Sequence, residues 1–134
     1  MTNSYIALDL ETTGLEARLD KITEIAALRV EDGRVEERFV TLVNPGRQLG
    51  ERITALTGIT DDMVKDAPVI EDTIGDVVRF CGNLPLLGHN ILFDYAFLKR
   101  AAVNSGLDFE REGIDTLGIC RCLLYTSDAA DDSL

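Results

Sequence analysis

Residues 5–14 read YIALDLETTG, a short apolar run that leads into two carboxylates and a turn. A run this short and this rich in β-forming residues predicts a buried strand over residues 5–10, because it cannot form a stable helix. Side chains alternate along a strand, so Asp9 and Glu11 should project side by side from one face. Like charges at the end of a buried strand cost several kcal/mol unless a divalent cation offsets them. The pair is therefore a candidate site for a hard cation such as Mg²⁺, and the alternative is two solvated loop charges.

Two further strands are predicted over residues 22–30 and 35–43. Asp32-Gly33 lies between them, and Asp-Gly is a favoured two-residue hairpin turn. The first three strands should therefore form an antiparallel meander. A short helical piece over residues 52–58 and a capped turn over residues 60–63 are expected to follow.

Residues 70–81 carry apolar side chains at helical spacing, and Pro68 suits the first turn of that helix. A brief strand over residues 84–88 then precedes an amphipathic helix over residues 92–104, which Gly106 should end. A strand, a crossover helix and a second strand favour a parallel, right-handed connection. The sequence thus predicts an α/β fold in which three antiparallel strands and an α-β-α unit form a mixed sheet with flanking helices.

Asp94 is the third carboxylate that needs an explanation, because it lies on the apolar stripe of the second helix. The stripe continues at i+3, i+4, i+7 and i+8 with Phe97, Leu98, Ala101 and Ala102. An acid in a first turn can simply complement the helix dipole, but that role does not explain an inward direction. Asp94 is therefore the third candidate ligand.

Two other titratable residues receive structural interpretations. His89 is the single histidine of the chain and precedes Asp94. We interpret it as a strand-end histidine, because Asp94 is already assigned as a ligand. Glu24 lies between Ile22 and Ala26 on a strand face, and we interpret it as a structural acid that is at least partly buried.

Composition narrows the class of protein and its partners. The chain has 134 residues, 46% of them hydrophobic, which is enough for one folded domain. Its net charge of −11 argues against coating nucleic acid by charge alone. It has neither a long apolar run nor a signal peptide, so we expect no membrane partner and a cytoplasmic location. Cys120 and Cys122 have no second Cys or His pair, so structural zinc is not expected.

Residues 8–15 (LDLETTGL) and 89–98 (HNILFDYAFL) resemble the first two motifs of the DEDD, or DnaQ-like, 3′-5′ exonucleases. The nearest branch contains the epsilon proofreading subunit of bacterial DNA polymerase III. Residues 42–46 (LVNPG) and 56–60 (LTGIT) also resemble this family, and the likeness extends over residues 5–121. The resemblance implies a ribonuclease H-like fold, which agrees with the element order above.

The resemblance also implies a mechanism and a substrate. Asp9 would bridge two Mg²⁺ or Mn²⁺ ions, Glu11 would bind one of them, and Asp94 would hold the other through water. The substrate would be the 3′ end of single-stranded or frayed DNA, with RNA as the alternative and DNA polymerase subunits as partners. The residues that would surround the terminal nucleotide are Thr12, Thr13, Gly14, Leu56, Thr57, Asn90 and Phe93.

The sequence departs from the family pattern after residue 121. The family has a third motif, a His or Tyr followed by an Asp, and this chain has neither. We therefore expect residues 1–121 to be a partial exonuclease domain, incomplete at its C-terminus, and inactive or impaired as it stands. Residues 122–132 resemble the translation of a transposon-end sequencing adapter, so residues 122–134 are expected to be a non-native tail.

Other classes of function make different demands on the sequence. A non-catalytic module that binds nucleic-acid ends, or associates with a polymerase, would bind a 3′ end without turnover. A haloacid-dehalogenase-like phosphatase would need a second Asp where Glu11 stands. No glycine-rich phosphate loop is present.

Overall fold

A computed structural model of the protein describes residues 3–116, which contain one five-stranded mixed sheet with helices. In chain order the elements are β1 (Ser4–Thr12), β2 (Ile22–Glu31), β3 (Arg34–Leu42), α1 (Gly50–Thr57), α2 (Asp61–Val64), α3 (Ile70–Cys81), β4 (Leu86–Gly88), α4 (Ile91–Asn104) and β5 (Gly113–Asp115). The strand order is β3-β2-β1-β4-β5.

The sheet is antiparallel on one side of β1 and parallel on the other. β2 pairs antiparallel with both β1 and β3, as the predicted meander requires. β4 pairs parallel with β1 and with β5. The hairpin between β2 and β3 turns at Asp32 (φ 51°) and Gly33 (φ 82°), the left-handed backbone that a two-residue turn needs. The predicted mixed α/β sheet is confirmed.

β1 is longer and more exposed on one face than the sequence suggested. It continues to Thr12 instead of ending at residue 10. Ile6, Leu8 and Leu10 are buried on one face, whereas Asp9, on the other face, is exposed. The prediction that the whole strand is buried was wrong for the second face, because residues 3–116 cover it only in part.

The apolar face of β1 packs in a core to which α3 and α4 contribute. Ile74, Val77 and Cys81 of α3 are buried there, which confirms the helical periodicity predicted for residues 70–81. Pro68 was wrongly placed in the first turn, because the helix begins at Ile70 with Val69 as its N-cap.

The remaining local predictions hold with small shifts at the ends of the elements. Gly58 ends α1 in a left-handed conformation, and the Thr60 hydroxyl accepts a hydrogen bond from the Met63 amide at the start of α2. Gly106 (φ 75°) follows α4 as expected. Cys120, Cys122 and the expected tail over residues 122–134 lie outside the described residues. No helix among the described residues is long and apolar enough to cross a membrane.

Candidate active site

Asp9 and Glu11 lie two residues apart on the half-covered face of β1, as predicted. The pairing register places Glu11 directly opposite Glu24 of β2. Partial burial raises the pKa of Glu11, and repulsion from Asp9 and then from Glu24 raises it further. Three carboxylates therefore share one patch of the sheet surface.

Asp94 approaches the same patch from the first turn of α4. Its side chain is only 5% exposed, so the predicted inward direction is confirmed. The pKa of Asp94 is raised to about 7. Burial is the largest cause, and repulsion from Asp9 and, less strongly, from Glu11 raises the pKa further. A hydrogen bond from the Leu10 backbone partly offsets the rise. The desolvation cost predicted for Asp9 thus falls chiefly on Asp94, because Asp9 itself is exposed.

Two contacts position the start of α4, one between β4 and β1 and one between Asn90 and β5. A Cβ on Gly88 would lie 2.7 Å from the Leu8 carbonyl oxygen, so β4 can approach β1 this closely only with glycine at that position. Asn90, the N-cap of α4, has φ 55°, and its amide donates to Asp115 Oδ1 at 3.2 Å. These contacts fix where Asp94 enters the site.

The carboxylates have the donor chemistry of a metal site without its closed geometry. Within residues 3–116, no three Asp, Glu, His or Cys side chains converge on one point that could hold a metal ion. Asp9, Glu11 and Asp94 are close enough for their charges to interact. Oxygen donors that repel each other suit a hard divalent cation, which would offset that repulsion.

The turn after β1 is held by its own polar side chains. The Thr12 hydroxyl donates to the Gly14 carbonyl at 2.7 Å. The Thr13 hydroxyl donates to Asp20 Oδ1 at 3.2 Å and accepts from the Lys21 amide at 2.9 Å. A Cβ on Gly14 would lie 2.4 Å from an Asp20 carboxylate oxygen, so a larger residue there would displace the carboxylate that accepts from Thr13 and Glu16. Both hydroxyls therefore stabilise the turn.

The other predicted substrate residues lie on different elements. Leu56 on α1 is 71% exposed, which leaves its side chain free for an apolar contact. The Thr57 hydroxyl donates to the Ile53 carbonyl, so it belongs to the end of α1. Phe93 is half-buried, with its ring centroid 5.0 Å from that of Phe97. His89 is exposed and directly follows β4.

Glu24 is the site neighbour whose position the sequence did not reveal. Its side chain lies on the same face as Glu11 because the β1–β2 register pairs the two residues directly. The alternation of β2 indicated that Glu24 shares a face with Ala26. It could not indicate which residue of β1 lies opposite.

Sequence comparisons link this chain to nucleases. The family described as Exonuclease matches residues 6–123. The PolC-type DNA polymerase III of Thermotoga petrophila is 36% identical over 132 residues, which is 98% of this chain and 10% of that protein. The PolC-type DNA polymerase III of Bacillus subtilis is 42% identical over 123 residues, or 90% of this chain and 8% of that protein. The chain thus spans about a tenth of the length of these relatives.

Structural comparisons agree with the sequence comparisons. Exonuclease X in complex with 5′ overhanging duplex DNA superposes with a TM-score of 0.71 and 31% identity, over 92% of this chain and 66% of that one. E. coli exonuclease I in complex with a dT13 oligonucleotide gives a TM-score of 0.78 at 20% identity, over 90% of this chain and 29% of that one. The second likeness establishes the fold alone, and the predicted ribonuclease H-like architecture is confirmed.

Proposed function

Because this chain belongs to the Exonuclease family, as a DnaQ-like 3′-5′ exonuclease domain, we propose that it hydrolyses phosphodiesters at the 3′ end of single-stranded or frayed DNA. The observation that carries this proposal is the buried Asp94, which the fold places beside Asp9 and Glu11 at the end of β1. The relatives are DNA polymerases and the exonuclease X complex contains DNA, so DNA is favoured over RNA as substrate.

Asp9, Glu11 and Asp94 would hold two Mg²⁺ or Mn²⁺ ions. Bound there, such ions supply activation of the attacking water and stabilisation of the leaving 3′ oxygen. The chain contributes a carboxyl on Asp94 whose pKa, at about 7, lies near neutral pH. Cation binding to Asp94 should therefore release a proton, and binding should strengthen as the pH rises through this range.

The terminal nucleotide would lie between the turn after β1 and the start of α4. The Thr12 and Thr13 hydroxyls already hold that turn, so the segment that includes Gly14 would offer its backbone to the nucleotide. The exposed Leu56, with Thr57 beside it, would press against the last base. Asn90 and Phe93, which flank the first turn of α4, would contact its sugar or base, and aromatic stacking tolerates any base.

The relatives also indicate the setting in which the chain acts. This chain matches a segment of about a tenth of the length of bacterial DNA polymerases. Polymerase subunits are therefore the expected partners. Proofreading or repair in the cytoplasm is the corresponding role.

A second candidate function is binding of 3′ ends without hydrolysis. It is favoured by one observation, that no three ligating side chains converge within residues 3–116. It predicts that the protein holds a single-stranded 3′ end in the presence of Mg²⁺ without shortening it.

A 5′-labelled oligonucleotide distinguishes the two functions. A form of the chain extended through the family's third motif should shorten it from the 3′ end with Mg²⁺ or Mn²⁺. Asp9→Ala in that form should abolish the shortening. Equal cleavage by both forms would show that the site is assigned wrongly. Tight binding without cleavage by the extended form would favour the end-binding role.

A further inference from the structure

A groove runs along the outer face of α4, away from the carboxylates. The α4 face and the loop between β1 and β2 enclose a cavity of about 480 Å³. Its floor is largely apolar and includes the Tyr95 ring and Val103. Its lining residues are Ala17, Arg18, Tyr95, Ala96, Lys99, Arg100, Val103 and Asn104. A smaller cavity shares Arg18 and Arg100 with it and adds Lys21.

Two cations that line this groove, and a third at the smaller cavity, have no partner among the described residues. Over residues 3–116, the side chains of Arg18, Lys21 and Arg100 make no ion pair and no hydrogen bond. The five Lys and Arg side chains that do pair with carboxylates are Arg29, Arg47, Lys65, Arg79 and Lys99. Arg18 and Arg100 line the same cavity, so two unpaired positive charges lie together in a chain with 24 acidic and 13 basic residues.

The acidic residues near the groove do not cancel its charge. The carboxylate of Asp20 accepts from the Thr13 hydroxyl and the Glu16 amide, and it faces Arg47 at 3.8 Å. The Glu110 carboxylate forms an ion pair with Lys99. Glu71 lines the smaller cavity and not the larger one. The larger cavity therefore has two unpaired cations at its rim, Arg18 and Arg100, beside the Lys99–Glu110 ion pair and over an apolar floor.

The groove and the candidate active site both lie along α4, on different faces of the helix. Tyr95 directly follows Asp94, and the lining continues along α4 to Asn104. The nine helical steps from Tyr95 to Asn104 span about 14 Å at 1.5 Å per residue. That length corresponds to about four nucleotides of a strand at 3.4 Å per step.

We propose that this groove binds the nucleic-acid strand upstream of its 3′ end, with backbone phosphates on Arg18 and Arg100 and a base on the apolar floor beside Tyr95. A cationic groove with an aromatic side chain is the arrangement by which proteins hold single strands without reading their sequence. The direction of the strand rests on the proposed function, whereas the binding itself can be tested without catalysis.

The binding test uses the full 134-residue chain, a 5′-fluorescein-labelled dT12 and EDTA, with fluorescence anisotropy as the readout. Arg18→Glu and Arg100→Glu should each weaken binding about tenfold. Each should also reduce the steepness of log K against log salt by about 0.7, the value for one lost phosphate contact to a single strand. Arg34→Glu is the matched control, because Arg34 is exposed and distant from the carboxylates. Arg34 pairs with Glu31, and Glu31 pairs with Ser4, at the opposite end of β1.

Three results would overturn the proposal. The first is an equal loss of affinity in Arg34→Glu and Arg100→Glu, which would reflect net charge alone. The second is competition by free thymidine monophosphate as strong as by unlabelled dT12, which would assign the groove to a free nucleotide. The third is no change in anisotropy of labelled dT12 together with tight binding of an acidic, apolar peptide. That result would make the groove a protein-docking site.

A second readout separates failure of the groove from failure of the proposed function. In the form extended through the third motif, Arg100→Glu should raise KM for dT12 and leave hydrolysis of the p-nitrophenyl ester of thymidine monophosphate unchanged, because the ester holds a single nucleotide. Equal effects on both substrates would contradict the groove. If that form hydrolyses neither substrate, the proposed function fails, and anisotropy still decides whether the strand binds.

Discussion

The two faces of β1 differ in what their alternate residues contribute. Ile6, Leu8 and Leu10 are buried in the core on one face. Asp9 and Glu11, on the other face, repel each other, and Glu24 and Asp94 add to the negative charge. One strand therefore supports stability on one face and chemistry on the other. Substitutions on the two faces should accordingly have separable effects, and the following changes test that separation.

The largest effect is expected for the activity of Asp9→Ala in a form extended through the third motif. Loss of this carboxylate should lower kcat/KM by about 10³-fold or more, as for other electrostatic groups of active sites. The free energy of unfolding should change by no more than about 0.5 kcal/mol, because Asp9 is exposed. Initial rates on a 3′-labelled oligonucleotide and urea unfolding measure the two quantities. Asp66→Ala, also exposed, is the control, and a matching loss of activity there would contradict a specific role for Asp9.

Ile6→Ala should show the opposite profile. Ile6 is 0% exposed, so the substitution leaves a cavity and should lower the free energy of unfolding by about 3 kcal/mol. Urea unfolding followed by circular dichroism measures the change. Leu92→Ala, at a residue that is 72% exposed, removes similar side-chain atoms and should cost less than about 0.5 kcal/mol. Equal losses in the two variants would mean that the β1 core face is not packed as described.

Asp94→Asn should stabilise the chain and change its pH dependence. The pKa of Asp94 is raised from 3.8 to about 7, so the folded chain binds more protons than the unfolded chain in this range. The free energy of unfolding should therefore fall as the pH rises from about 4 to about 7. Asn keeps an acceptor for Leu10 and cannot ionise, so the variant should be more stable at pH 8, on the order of 2 kcal/mol.

Urea titrations at pH 5 and pH 8, without divalent cations, compare the stability of wild type and Asp94→Asn. Asp66→Asn should leave the pH dependence as in wild type. A wild-type chain that gains stability between pH 5 and pH 8 would contradict the burial of an ionisable Asp94. Mg²⁺ or Mn²⁺ should raise the stability of the wild type at pH 8 and have less effect on Asp94→Asn.

The smallest effect is expected for Glu24→Gln. Glu24 and Glu11 lie directly opposite each other, and like charges at such positions destabilise a sheet by a few tenths of a kcal/mol. The variant should be more stable than wild type by that amount at low salt, and the difference should shrink at 1 M salt. Thermal unfolding at the two salt concentrations measures it. A loss of stability on removing the Glu24 charge would mean that it is not opposed by Glu11.

Local patterns sufficed for much of the fold. The Asp32-Gly33 turn, the apolar stripe of α3 and the inward direction of Asp94 each depend on neighbours within one turn or one helix, so sequence spacing reports them directly. The parallel pairing of β1 with β4 followed from the strand, helix and strand order. The two candidate motifs lie at the end of β1 and at the start of α4.

Contacts between distant segments were harder to predict from the sequence. The exposure of Asp9 depends on what covers the second face of the sheet, and alternation alone does not report that. The register that pairs Glu11 with Glu24 is set across two strands. The cationic groove joins Arg18 to Arg100, which lie far apart in the chain and meet only because the loop after β1 packs on α4.

The hairpin tip at Asp32 and Gly33 offers a place to attach the protein to a surface or a reporter. Both residues are exposed, and the space around Gly33 is open, although its left-handed backbone (φ 82°) favours glycine at that position. The tip adjoins Glu31, which pairs with Ser4, whereas the carboxylates lie toward Thr12 at the other end of β1. A peptide tag inserted here, or a fluorophore on a cysteine introduced beside this turn, would extend away from the sheet and leave the carboxylates unobstructed.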